Sequence, residues 1–81
     1  MARPSPSHSG SPALTALGEA IRAARIERGL SQEALAYETG LDRSYVGGIE
    51  RGEHNLTLVN LLRIAQHLDL KGSSLLKRAG L

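Results

Sequence analysis

The stretch "SQEALAYETGLDRSYVGGIERG", residues 31–52, decides how this chain folds. Ser31 is a good helix N-cap, its side-chain oxygen suited to accept a backbone N–H of the first turn. The segment "QEALAYET" then runs as a short helix with Leu35 and Ala36 turned inward, and Gly40 ends it. Asp42 caps a further helix, which continues to about Arg51 and stops before Gly52.

Only a few residues centred on Gly40 join these two helices. So short a joint forces them to cross steeply, as in a helix-turn-helix over about residues 32–51. The sequence meets the demands of such a crossing. Ala36 is small where the helices face each other, and Gly40 can take the left-handed conformation of the turn. Leu35, Val46 and Ile49 lock the pair to the rest of the domain.

Gly47 and Gly48 fit this picture less easily, because each costs roughly 0.8–1.0 kcal/mol against alanine in a helix interior. A helical wheel at 100° per residue, with Arg43 at 0°, puts Val46 at about 300° and Ile49 at about 240°, on the buried side. Gly47 falls at about 40°, Arg51 at about 80°, Ser44 at about 100° and Gly48 at about 140°, on the outward side. Bare backbone there is expected to let the helix approach a large grooved surface closely, and a DNA major groove admits a helix.

Outward from this motif, Leu14, Leu17, Ile21 and Ala24 recur with helical spacing, and that helix runs to about Arg28 before Gly29 closes it. "EHNL" is a loop. Thr57 caps a fourth helix whose apolar face carries Leu58, Leu61, Leu62, Ala65 and Leu68. Gly72 and Ser73 begin a last helix bearing Leu75, Leu76 and Ala79. Residues 1–13 begin "MARPSPSHSGSP" and cannot bury enough apolar surface to offset their ordering entropy, so we expect a disordered tail. Arg3 in that tail is a candidate arm for a DNA groove. The fold class is therefore all-α, with a five-helix domain over residues 14–81.

Composition narrows the chemistry. The 81 residues hold no cysteine, which excludes disulfides and thiolate metal sites. Without Phe or Trp the core must be aliphatic. A formal net charge of +2 is compatible with nucleic acid but not diagnostic. No apolar run reaches the length of a membrane span, and no signal-peptide core is visible, so we expect a soluble cytoplasmic protein. His8, His54 and His67 come without paired carboxylates, a phosphate loop or an HExxH pattern, so we expect no enzymatic activity, cofactor or metal site.

The string "SQEALAYETGLDRSYVGGIERGEHNLTLVNLLRIAQHL" resembles the lambda-repressor-like, Cro/XRE-type helix-turn-helix family. Through "QEALAY", "LDRSYVGGIERG" and "NLTL" it is most similar to controller proteins of restriction–modification systems. The likeness spans roughly residues 14–79. It implies a compact five-helix domain that binds operator DNA, commonly as a homodimer, and regulates transcription; an activator would also meet RNA polymerase.

The resemblance implies roles residue by residue. Arg43 starts the recognition helix, where it would read guanine in bidentate fashion or hold a phosphate, and Ser44 is the neighbouring base contact. Gln32, at the start of the preceding helix, matches a common phosphate contact. Tyr45, Arg51, Asn55 and Thr57 are further backbone contacts, although Tyr45 also suits a ring flank, Arg51 a solvated charge and Thr57 an N-cap. Relatives can carry a basic residue at the position of His54, which here would be a pH-sensitive substitute. Arg25 and Glu50 occupy the positions of a structural ion pair that orients the recognition helix. Close approach is all Gly47 and Gly48 could contribute, shifting weight toward DNA shape.

Helix four's apolar content, with Leu75, Leu76 and Leu81, exceeds what a small core needs, and we expect helix five to form a homodimer interface. A two-fold pair would set the recognition helices about 34 Å apart on a palindromic operator. The competing reading is an antitoxin or anti-regulator that uses this fold to hold a partner protein. Its expected mark is a long apolar tail for wrapping that partner, and none lies within the 81 residues.

Overall fold

The computed structural model describes residues 10–81. The tail expected over residues 1–13 lies outside the described residues as far as residue 9, and Arg3 with it. Among the described residues the elements are helices only: α1 (Pro12–Glu27), α2 (Gln32–Thr39), α3 (Arg43–Glu50), α4 (Leu58–His67) and α5 (Gly72–Arg78). None of these is long and apolar enough to cross a membrane. Helix α1 begins before Leu14, at Pro12, because proline is pre-organised for the first turn and has no N–H to leave unsatisfied.

Local chemistry sets the boundaries. Ser31 Oγ accepts from the Ala34 N–H at 3.0 Å and starts α2; Thr57 Oγ1 accepts from the Asn60 N–H at 3.1 Å and starts α4. Asp42 holds the N-cap position of α3 but makes no side-chain capping bond. Its carboxylate instead accepts from the Ser44 hydroxyl at 2.6 Å. Between α2 and α3, Gly40 takes the left-handed conformation at φ 73°, the C-terminal turn that glycine adopts without strain.

The core is aliphatic. Ile21, Leu35, Val46, Ile64 and Leu75, one from each helix, are its largest fully buried side chains. Helix α3 is backed by both α2 and α1. Where α1 crosses the end of α3 the backbones meet at Gly18. A Cβ there would collide with the Ile49 carbonyl oxygen and lie 2.6 Å from that of Glu50. Glycine at position 18 is thus a condition of the crossing.

Two expectations for the apolar residues are corrected. Leu75 is fully buried in the core of the single chain, so it is not available to a dimer interface. Leu58 and Leu62 are exposed by 67% and 49%, not packed in the core, and Val59 beside them by 66%. Leu61, Ile64, Ala65 and Leu68 fill the buried side of α4 and leave these three on a separate strip. Leu76 is half-buried against the core, and Leu81 is exposed.

Candidate nucleic-acid interface

The front of α3 carries Arg43, Gly47 and Arg51 at successive i, i+4 positions, which stack as one strip along a helix. Arg43 is exposed at its leading end. Ser44, next to it, is half-buried and tied to Asp42. At the far end Arg51 is exposed and paired with Glu53: Nε donates to Oε2 at 2.8 Å and Nη2 to Oε1 at 3.2 Å. That hydrogen bonding lowers the Glu53 carboxyl below its ordinary range and holds Arg51 more firmly protonated.

Behind the strip, α3 is fixed by a buried ion pair. Arg25 Nε donates to Glu50 Oε2 at 2.7 Å and Nη2 to Oε1 at 3.1 Å. The remaining Arg25 nitrogen, Nη1, donates to the Leu30 carbonyl at 2.8 Å, which ties the pair to the α1–α2 turn. Gln32 joins it through Nε2, which donates to Glu50 Oε1 at 3.0 Å. A fork-on-carboxylate geometry with a further donor satisfies most of the lone pairs of a buried carboxylate, which is what makes such burial tolerable. Sequence reasoning paired Arg25 with Glu50 but missed that the Gln32 amide is anchored on the same carboxylate.

The two glycines are where the wheel and the structure part. Both are buried, not bare. A Cβ on Gly47 would lie 3.1 Å from Arg51 Nη1 and 3.5 Å from Gln32 Oε1, so flexible side-chain ends cover it. A Cβ on Gly48 would collide with His54 Nε2 and lie 2.6 Å from Cδ2 of that ring. The chain after α3 folds back to make this contact: Gly52 turns at φ 76°, and the Glu53 N–H donates to the Gly48 carbonyl at 2.9 Å. A wheel reports only the helix it is drawn for, not what a following turn lays on top. Gly48 therefore faces the protein's own loop, and Gly47 lies beneath the ends of Arg51 and Gln32.

His54 is correspondingly buried, at 6% exposure, and not the outward-reaching base expected at that position. Its ring lies 4.7 Å from that of Tyr45, centroid to centroid, inclined by 51°. Tyr45 is half-buried, and its hydroxyl accepts from Asn60 Nδ2 at 3.3 Å. Asn55 and Thr57 are exposed on the loop that follows. The structure thus gathers Gln32, Gly47 and Arg51 on one side of α3, and Tyr45, His54 and the loop to α4 on the other.

Comparison with known proteins places this arrangement. Residues 21–75 match the helix-turn-helix family. The control protein C.SmaI of Serratia marcescens is 45% identical over 65 residues, 80% of this chain and 77% of its own. C.BamHI of Bacillus amyloliquefaciens, also a control protein, is 38% identical over 60 residues, 73% of this chain and 74% of its own. The crystal structure of the restriction–modification controller protein C.AhdI from Aeromonas hydrophila superposes with a TM-score of 0.74 at 52% identity, covering 76% of this chain and 94% of that one. Five helices, with α2 and α3 joined through the left-handed turn at Gly40, and a match over most of the sequence settle the classification: the chain belongs to the helix-turn-helix family of the Cro/XRE type.

Proposed function

We propose that this protein is a sequence-specific DNA-binding regulator of transcription, a restriction–modification controller that acts as a homodimer on a palindromic operator. The observation that carries the reading is the pair of exposed arginines, Arg43 and Arg51, on either side of Gly47 along a helix whose back is pinned by a buried ion pair. Such a helix can enter a major groove without changing its pose. Arg43 and Ser44 then meet base edges, Arg43 in bidentate fashion on guanine. In this reading Gln32, Tyr45, Arg51, Asn55 and Thr57 contact the sugar-phosphate backbone. Binding is the whole of the proposed activity, and its place is the cytoplasm; for an activator, RNA polymerase is the further partner.

The size of the domain suits a two-fold pair. With extents of 30 × 28 × 20 Å, two copies side by side can hold recognition helices about one helical turn of DNA, ~34 Å, apart. The interface we assign is the apolar strip of α4, Leu58, Val59 and Leu62, with Leu76 and Leu81 as further members. This strip opens where the Asn55–Thr57 loop ends, so a dyad there sets the two loops near the centre of the operator.

Selection of bound duplexes from a random pool tests the proposal. The expected result is a symmetric site with half-sites about one turn apart, and no enriched sequence at low salt would overturn it. Arg43→Ala should relax preference at one base position of each half-site, with about 1–3 kcal/mol of discrimination lost there. An equal loss on every sequence would make Arg43 a phosphate contact instead.

A further inference from the structure

The pairing of Gly48 with His54 has no counterpart at Gly47. Over Gly47 lie the ends of two long side chains: Arg51, exposed and 3.1 Å from a Cβ placed there, can move aside, and Gln32 at 3.5 Å is at ordinary contact distance. Over Gly48 lies an imidazole that is itself buried, flanked by the Tyr45 ring and held on a turn bonded back to α3. From there the contacts continue: Tyr45 accepts from Asn60, and Asn60 is also the residue whose N–H is capped by Thr57. One chain of contacts thus runs from the middle of α3, through the loop, to the first turn of α4.

We propose that His54 is a positioning residue and Gly48 its socket. The ring, seated on the bare backbone of Gly48, sets where the Asn55–Thr57 loop stands relative to Arg43 and Ser44. The phosphate-holding loop and the base-reading end of α3 then meet one duplex in a fixed register. This rests on the DNA-binding reading above and adds to it a residue that touches no DNA. It also accounts for glycine at position 48: its helix-propensity cost is the condition for seating the ring.

Two comparisons test the proposal. The first is thermal unfolding without DNA. Gly48→Ala should lower the midpoint by about 4–8 °C in the wild-type background, where the new Cβ displaces the ring. In a His54→Ala background the same substitution should raise it, because the space is empty and alanine favours the helix. The same sign in both backgrounds would show that the ring is not seated there and would overturn the proposal.

The second comparison is affinity for the duplex enriched from a random pool, below the unfolding onset of every variant. Asn55→Ala should weaken binding about tenfold in the wild-type background but less than about twofold when His54 is already alanine, since only coupled sites depart from additivity. A loss undiminished by His54→Ala would overturn the positioning role and leave the DNA-binding reading standing. Failure of the wild-type protein to enrich any duplex would overturn both, while the melting comparison still reports on the socket.

Discussion

Arg25 and Glu50, 25 residues apart in sequence, are joined by two charge-assisted hydrogen bonds at 2.7 and 3.1 Å inside the domain, where neither side chain has much contact with solvent. This is the link between the first helix and the end of the recognition helix. Taking away one partner strands the other's charge, which typically costs about 3–5 kcal/mol for a buried pair. Arg25→Met and Glu50→Leu should each lower stability by that order, measured by urea denaturation. A change near zero would mean that solvent reaches the site and screens it.

Gly47 should behave quite differently from its neighbour. A methyl group there meets the exposed end of Arg51, which can shift, so Gly47→Ala should gain up to about 1 kcal/mol from helix propensity. Gly47→Glu, by contrast, sets a carboxylate on the strip proposed to meet the duplex. It should abolish binding in a mobility-shift assay while circular dichroism shows unchanged helicity. Retained binding would show that the strip does not touch DNA.

Assembly can be separated from folding by comparing Leu58 with Leu75. Leu58→Glu alters an exposed side chain, so sedimentation should report a folded monomer with weakened operator binding. Leu75→Ala empties a fully buried position and should cost about 2–5 kcal/mol of stability. A Leu58→Glu protein that still sediments as a wild-type dimer would move the interface away from α4.

Glu53 restrains Arg51, and releasing it should change the salt dependence of binding. Because the Glu53 carboxyl is held low by the Arg51 hydrogen bonds, the pair is intact above ordinary carboxylate values and is lost only as pH falls through the lowered one. Mild acid therefore does not free Arg51, whereas Glu53→Gln does. That variant should steepen the slope of log affinity against log salt by about one, read by anisotropy across a salt series. An unchanged slope would place Arg51 off the phosphates.

Much of this was legible in the sequence because it depends on local rules. Ser31, Gly40 and Thr57 mark their boundaries through capping and turn chemistry that one or two residues decide. The spacing of Leu35, Val46 and Ile49 identifies the core side of the helix-turn-helix. Arg25 and Glu50 came from family likeness, since no local rule joins residues so far apart. Contacts made by the chain folding back were not readable in this way. The burial of Gly48 under His54 and the Gln32 bond to Glu50 arise where a helix meets another segment, and the hold of Glu53 on Arg51 lies in a turn; periodicity is silent on all three. Helix four misled for a related reason: Leu58 and Leu62 lie near the buried stripe on a wheel, but Ile64 and Leu61 take the interior and turn those two outward.

The missing side chain at Gly18 has a wider consequence. Since α1 rests directly on the carbonyls that finish α3, the tilt of the reading helix is dictated from the rear of the molecule, by positions 18, 25 and 50. From the α2 side, Gln32 adds its bond to Glu50 to the same anchorage. The exposed position 43 can therefore be varied to seek new target sequences on an unaltered chassis, while any residue larger than glycine at 18 would re-aim the whole helix.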